Sequence, residues 1–131
     1  MKLKEFFIII IMSSALHSED IFGIVVHGGA GVMSGLSVEK QEQIHRKIQE
    51  SVSSAYAVLE TGGSSLDAVE LAVSILEDSP LFNAGKGSVY SSNETQEMDA
   101  SIMDGKDRLT GAVASVSIVK NPIKLARKVA E

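Results

Sequence analysis

The segment EMDASIMDGKDRLTGAVASVSIV, residues 97–119, decides the fold class of this chain. Residues 97–103 and residues 112–119 each predict a β-strand, because apolar and polar side chains alternate along them. Asp104 and Gly105 between them are typical of a turn. The two strands lie so close together in the sequence that we expect them to pair antiparallel.

The second of these strands has a regular alternation of side chains. Successive residues of a strand point to opposite faces of its sheet. We therefore expect one face to carry every second residue from position 113, without interruption: Val113, Ser115, Ser117 and Val119.

Upstream of this pair the sequence predicts a further strand and two helices. Residues 21–26 are mainly apolar and predict a buried strand. An apolar stripe at three- and four-residue steps predicts a helix over residues 38–60, with Ser37 as its N-cap. Ser64 or Ser65 caps a second helix, apolar nearly all round, which stops at Ser79 and Pro80.

Downstream, Asn121 and Pro122 predict the start of a last helix, with Asn121 as N-cap and the proline at the first helical position. This helix continues to Glu131. The predicted order is therefore β, α, α, β, β, α. Because the two helices come as a pair, this order favours an α+β fold over a doubly wound parallel sheet.

The composition bounds the size of the domain and argues against some classes of binding partner and metal site. The chain has 131 residues, of which 44% are hydrophobic, so it can form the core of one domain. Its formal net charge is −5, and its basic residues are scattered, which argues against a nucleic-acid partner. It has no cysteine, so disulfides and thiolate metal sites are excluded.

The first residues are typical of a secretory signal peptide. Lys2 and Lys4 precede a short apolar run, and small residues follow it. We predict a signal peptide over residues 1–15, cleavage after Ala15 and an exported protein, periplasmic or secreted; without such a signal the protein would be cytoplasmic. The apolar run is too short to span a membrane.

Single motifs indicate little by themselves. Gly29, Gly31 and Gly35 miss the spacing of a dinucleotide-binding loop. His27 could act as a general base, or it could be a buried residue that fixes the loop through a backbone hydrogen bond, which we favour. Thr110 is internal and has no free amine to activate it.

Two further motifs leave alternatives open. Three acidic residues could form a carboxylate pair or cation site, or they could be a polar strand face and a turn residue: Glu97, Asp99 and Asp104. Residues 93–95 match the asparagine glycosylation pattern, which matters only for a secreted eukaryotic protein.

Taken in order, six blocks of the chain give a more specific signal. From about residue 22 onwards, the sequence resembles the plant-type asparaginase/isoaspartyl peptidase family. The blocks that carry the resemblance are residues 24–31 (IVVHGGAG), 62–70 (GGSSLDAVE), 81–89 (LFNAGKGSV), 97–105 (EMDASIMDG), 111–114 (GAVA) and 121–129 (NPIKLARKV).

The resemblance implies an N-terminal-nucleophile hydrolase with a four-layer αββα sandwich, incomplete in this chain. The precursor would cut itself into two subunits, and the threonine that opens the second subunit would become the nucleophile, with its own α-amine as base. The reaction would be hydrolysis of L-asparagine or of β-aspartyl (isoaspartyl) dipeptides. The partner of this chain would be its own C-terminal β-subunit, within an (αβ)2 dimer.

The same resemblance implies roles for particular residues. Asn83 would help to position the nucleophile, and Gly28, Gly29, Ala30 and Gly31 would pack against the nucleophile's strand, where side chains would not fit. A structural sodium ion would be held by backbone carbonyls of one loop, at Leu76, Glu77, Ser79, Phe82, Ala84 and Lys86.

One part of the family pattern is missing. The self-cleavage site and the threonine nucleophile would lie beyond Glu131, so residues 16–131 match only the N-terminal part of the family's domain and are expected to be inactive alone. A non-catalytic, truncated paralogue that acts as a binding or structural subunit is the alternative. A small exported ligand-binding domain is a third, weaker hypothesis.

Overall fold

A computed structural model describes residues 21–31 and 33–131, and the predicted signal peptide over residues 1–15 lies outside these described residues. The helices and strands of the described chain are compatible with an α+β fold. They are α1 (Val38–Glu60), α2 (Ser65–Glu77), β1 (Met98–Met103), β2 (Thr110–Val116) and α3 (Pro122–Ala130), with one turn of 3-10 helix at Gly85–Gly87.

Helix α1 has the predicted bounds and the predicted cap. The Ser37 hydroxyl accepts a hydrogen bond from the Lys40 backbone N–H at 3.3 Å, and Glu39 lies in the first turn, where its charge suits the helix dipole.

Helices α1 and α2 pack closely because small residues line their contact. Ala55 of α1 forms a buried cluster with Ala68 and Ala72 of α2. The buried Ser51 hydroxyl donates a hydrogen bond to the Ala72 carbonyl at 2.9 Å, so this polar group is satisfied between the two helices.

Helix α2 begins with a capping box and ends against α3. The Ser64 hydroxyl accepts from the Asp67 N–H at 3.1 Å, and the Asp67 carboxylate receives the Ser64 N–H in return. Arg127 of α3 reaches this helix and donates to Asp67 Oδ1 at 2.7 Å and to Glu70 Oε2 at 3.3 Å. Helix α2 ends at Glu77, ahead of the predicted stop at Ser79 and Pro80.

Strands β1 and β2 form the predicted antiparallel pair, with Met103 opposite Thr110 beside the turn. The uninterrupted alternation predicted for the second strand is wrong, because the register shifts between Met98 and Ala100. Ser115 is the extra residue, with a φ of +53°, and the Asp99 carboxylate accepts its N–H at 2.8 Å. As a result Val113 and Val116 are partly buried, whereas Ser115 is exposed.

Helix α3 covers one face of this hairpin. Ile123 and Ala126 form a buried cluster with Ile102 of β1. Gly111 of β2 approaches α3 so closely that a Cβ built on it would lie 2.9 Å from the Ala130 Cβ. The hairpin and α3 therefore form one packed unit.

The strand predicted over residues 21–26 is not formed within the part of the chain that the structure describes, where the sheet contains only β1 and β2. A strand needs a neighbour that pairs with its backbone, and no described segment pairs with these residues. Their side chains nevertheless alternate: Ile24 and Val26 pack against the cluster between α1 and α2, whereas Ile21 and Val25 are exposed.

Among the described residues, no helix is both long enough and apolar enough to cross a membrane.

Candidate functional site

A cavity of about 960 Å³ lies where the first glycine-rich loop meets the helix pair. Ile44 and Ile48 of α1 and Leu76 of α2 contribute to its apolar wall. Its polar edge comes from residues 27–31 and 81–84, two segments that are separated by about fifty positions in the sequence.

The structure brings together the residues to which the sequence assigned a supporting role. The cavity is lined by Gly28, Gly29, Ala30, Gly31 and Asn83. Leu76, Phe82 and Ala84 of the predicted carbonyl loop line it as well. The two glycine-rich segments thus meet at one site.

Asn83 is held in a defined orientation at this site. Its Oδ1 accepts a hydrogen bond from the Val89 backbone N–H at 2.9 Å. The residue is exposed, and its Nδ2 donates no hydrogen bond within residues 21–31 and 33–131. The amide therefore presents two N–H donors to whatever occupies the cavity.

Gly28 lies close to two side chains that would have to shift to make room for a Cβ. A Cβ at this position would lie 2.9 Å from Ile48 Cδ1 and 3.1 Å from Phe82 Cε1. Gly29 and Gly31 have open space around them in the described chain. The loop thus approaches α1 and residue 82 closely at Gly28. There is free space beside Gly29 and Gly31.

Two histidines line the cavity. His27 Nδ1 accepts the Gly29 N–H at 3.2 Å, so it makes the backbone hydrogen bond that we favoured, but the residue is exposed and its predicted burial is wrong. His45 of α1, which the sequence did not mark as a site residue, also borders the cavity.

The predicted carbonyl loop is tightly packed around two glycines. A side chain on Gly85 would collide with the Glu77 carbonyl, and one on Gly87 would collide with the Phe82 carbonyl. The Leu76 carbonyl accepts the Ser79 N–H at 3.1 Å, and the Ala84 carbonyl accepts the Gly87 N–H at 3.0 Å.

A carbonyl oxygen has two lone pairs, so the Ala84 oxygen keeps one for a cation, whereas the Leu76 oxygen also accepts the Asp78 N–H. Ser79 is buried, its hydroxyl accepts the Leu81 N–H at 3.3 Å, and Lys86 is exposed. Backbone carbonyls suit a hard cation and need no particular side chain, so the residues present fit a sodium ion.

The Glu77 carboxylate is buried beside the start of α3. The residue is 3% exposed, and its Oε1 accepts the Ile123 backbone N–H at 3.0 Å. Its Oε2 is buried and has no hydrogen bond to any described residue. Burial raises the pKa of Glu77, and the hydrogen bond from Ile123 opposes that shift.

The expectation that Asn121 caps α3 with its own side chain is wrong. Its Nδ2 donates instead to Asp78 Oδ1 at 3.0 Å, and Lys120 Nζ lies 2.9 Å from Asp78 Oδ2. These hydrogen bonds, chiefly the one from Lys120, lower the pKa of Asp78.

The three acidic residues of the hairpin region have local partners. Glu97 accepts a hydrogen bond from the Thr95 hydroxyl, Asp99 from the Ser115 N–H, and Asp104 from the Lys106 N–H. These contacts agree with the second alternative, in which the three residues are polar groups of a strand region and a turn. No group of three or more histidine, aspartate or glutamate side chains suited to a metal ion occurs in the described residues.

Comparison with known proteins matches this chain to one family. A family model described as asparaginase matches residues 20–131. A human isoaspartyl peptidase/L-asparaginase is 51% identical over 108 residues, and proteins of the same name from mouse and Xenopus laevis are 50% identical over 108 and 109 residues. The matches cover 82% of this chain and between 32% and 34% of the relatives, so the chain spans about a third of their length.

Proposed function

The chain belongs to the asparaginase family, and we propose that it forms the N-terminal part of a hydrolase that cleaves the side-chain amide of L-asparagine and β-aspartyl (isoaspartyl) dipeptides. The observation that carries this proposal is the meeting of the glycine loop and Asn83 at one cavity. The names and identities of the relatives support it.

In the proposed mechanism, the hydroxyl of a threonine from a segment beyond residue 131 attacks the substrate carbonyl while its own α-amine takes the proton. That proton passes to the departing amine as the amide C–N bond breaks, and water then hydrolyses the acyl-enzyme to release aspartate and free the threonine. Asn83 contributes positioning: with Oδ1 held by the Val89 N–H, its Nδ2 is left to donate to a group in the cavity. Correct placement of the reacting groups supplies a large share of the rate acceleration in such sites.

We propose that this threonine is exposed by self-cleavage of the precursor, and that the two resulting subunits complete an αββα sandwich and an (αβ)2 dimer. The exposed apolar side of residues 21–26 supports a missing sheet neighbour at that position. A sodium ion held by the carbonyls of residues 76–86 would fix the loop that carries Asn83.

Export is part of the same proposal. The cationic and apolar residues 1–15 support cleavage after Ala15, and N-terminal sequencing of the protein from its native host is expected to begin at Leu16. A retained Met1 would contradict export.

The test uses the product of the complete coding sequence, read past the codon for Glu131. We expect it to split into two chains and to release aspartate from L-asparagine and from β-aspartyl dipeptides. Asn83→Asp keeps an acceptor for the Val89 N–H but removes the side-chain donors. We expect it to lower kcat by about a hundredfold, the size of effect seen on loss of a positioned donor.

Asn93→Asp is the matched control, because Asn93 lies in an exposed turn and does not line the cavity. It should leave self-cleavage and turnover unchanged. Normal turnover by the Asn83→Asp protein would contradict the role of Asn83, and absence of both amide hydrolyses in the complete protein would contradict the proposed function itself.

A further inference from the structure

We propose that the Glu77 side chain is a positioning group that couples the carbonyl loop, residues 76–86, to helix α3. The proposal deepens the proposed function, because it rests on a cation bound by that loop. The backbone of Glu77 belongs to the loop, whereas its side chain contacts α3.

On the side of α3, Glu77 replaces the cap that the helix lacks. Asn121 makes no capping hydrogen bond with its own side chain. Glu77 Oε1 instead accepts the N–H of Ile123, in the first turn of α3, from a position 46 residues earlier in the chain. A carboxylate at a helix N-terminus also interacts favourably with the helix dipole, and here it is buried.

On the side of the loop, the same residue is tightly enclosed. A Cβ built on Gly85 would lie 2.6 Å from the Cβ of Glu77 and would collide with its carbonyl oxygen. The Glu77 carbonyl is also one of those proposed to hold the cation. A shift of the loop on cation binding would therefore displace the stem of the side chain that caps α3.

The effect would not stop at the helix end. Helix α3 is packed on the hairpin through Ile123, Ala126 and Ile102. A shift of the loop on cation binding would thus be transmitted through Glu77 to α3 and to the hairpin on which α3 packs. The neighbouring residue Asp78 also joins the loop to this unit, but through an exposed carboxylate that binds Lys120 and Asn121 and not the first-turn N–H of Ile123.

Substitutions of Glu77 and of Asp78 can therefore be compared as a matched pair. The measurement is amide hydrogen exchange of the complete protein in NaCl and in choline chloride. In the unsubstituted protein we expect sodium to slow amide exchange both in residues 80–87 and at Ile123–Leu125, by about fivefold or more, the lower end of ordinary coupling between sites. In Glu77→Ala, sodium should still slow exchange in the loop but leave α3 unaffected. In Asp78→Ala, both responses should persist.

The conservative variant separates coupling from simple loss of stability. Glu77→Gln keeps an oxygen that can accept the Ile123 N–H, so it should restore the response of α3 to sodium. If Glu77→Ala does not fold, Glu77→Asp takes its place, because its shorter side chain cannot keep the 3.0 Å contact.

An α3 that responds to sodium equally in Glu77→Ala or Glu77→Asp and in the unsubstituted protein would overturn the proposal. Absence of any sodium response in the loop of the unsubstituted protein would overturn it too. Aspartate release is measured separately on the same samples, so a protein that hydrolyses asparagine without this coupling would refute the inference and leave the proposed function standing.

Discussion

At the scale of single residues, Gly85 combines two obstacles to a side chain. Its φ is +51°, in the left-handed region, and a Cβ there would lie 2.6 Å from that of Glu77. Left-handed backbone costs a non-glycine residue about 1–2 kcal/mol, and overpacking adds about 1–3 kcal/mol. We expect Gly85→Ala to lower the free energy of unfolding by about 3 kcal/mol, measured by urea denaturation of the complete protein.

Gly105→Ala is the control for this substitution. A Cβ at Gly105 meets nothing within 4 Å, so the free energy of unfolding should change by about 0.5 kcal/mol or less. Equal losses at the two glycines would mean that the carbonyl loop is not packed against Glu77 as described.

Residue-scale features that depend on local spacing could be predicted from the sequence, and those that depend on distant partners could not. The glycine segments and Asn83 were singled out through the family resemblance, whose signal is the order of blocks along the chain, and their roles stay a prediction. The capping of α3 by Glu77 was missed because the two residues in contact are 46 positions apart. The position of His45 depends on which side of α1 faces the loop of residues 81–84, and helical periodicity alone does not give that.

At the scale of elements, the ion pair between α2 and α3 predicts a pH dependence. The Ser64 hydroxyl, followed by Arg127, lowers the pKa of Asp67 below its ordinary value of 3.8. A carboxyl group whose pKa is lower in the folded state stabilises that state above its ordinary pKa, and this stabilisation is lost as pH falls. We expect Asp67→Asn to reduce the free energy of unfolding at pH 7, with the deficit shrinking as pH falls below 3.8.

Urea denaturation of the two proteins between pH 2.5 and pH 7 measures this difference, and Asp107→Asn serves as a control in an exposed turn. The control should show no comparable deficit at any pH. A deficit of Asp67→Asn that stays constant down to the lowest pH would contradict a contribution from the ionised carboxylate.

The sequence predicts some elements better than others. The difference depends on whether their hydrogen bonds join residues that are near or distant in the sequence. Helix α1 has its predicted bounds because helical hydrogen bonds and the Ser37 cap are local. The strand over residues 21–26 requires a partner that the described chain does not supply. The interruption at Ser115 depends on a side chain of the opposite strand, Asp99, and alternation within one strand cannot reveal it.

At the scale of the whole molecule, the described chain exposes apolar surface in an unpaired extended segment. Val25 is 94% exposed, next to backbone groups that no described strand pairs. Such a surface favours association between chains. Residues 21–131 produced alone are therefore expected to associate and to bind a hydrophobic dye, and Val25→Lys should reduce both effects, as measured by light scattering and dye fluorescence.

Val38→Lys is the matched control, because Val38 is 73% exposed but lies in the first turn of a helix, which presents no strand edge. It should have little effect on association. A monomeric chain with a sharp, cooperative thermal transition would contradict the prediction and favour an independent domain.

The architecture of the whole molecule is predicted mainly from family membership, and less from the helices and strands of the described residues. The described residues supply a helix pair and a hairpin covered by a helix, and these are compatible with an α+β fold. The layers that would enclose residues 21–26 and the outer face of the hairpin belong to the proposed completion of the sandwich, for which the relatives, about three times as long, provide the support.

The extra residue at Ser115 has a consequence for how this gene can change in length. Because of it, Val113 and Val116 lie on the same face of the sheet although they are three positions apart. Loss of the codon for residue 115 would remove the bulge, restore regular alternation and keep Val116 opposite Met98. A codon lost or gained in the turn at residues 105–109 would also leave both strands in register, whereas a codon lost within a regularly paired stretch would turn the side chains that follow to the other face. Gaps among aligned relatives are accordingly expected in that turn or at the bulge, and not within the regularly paired residues.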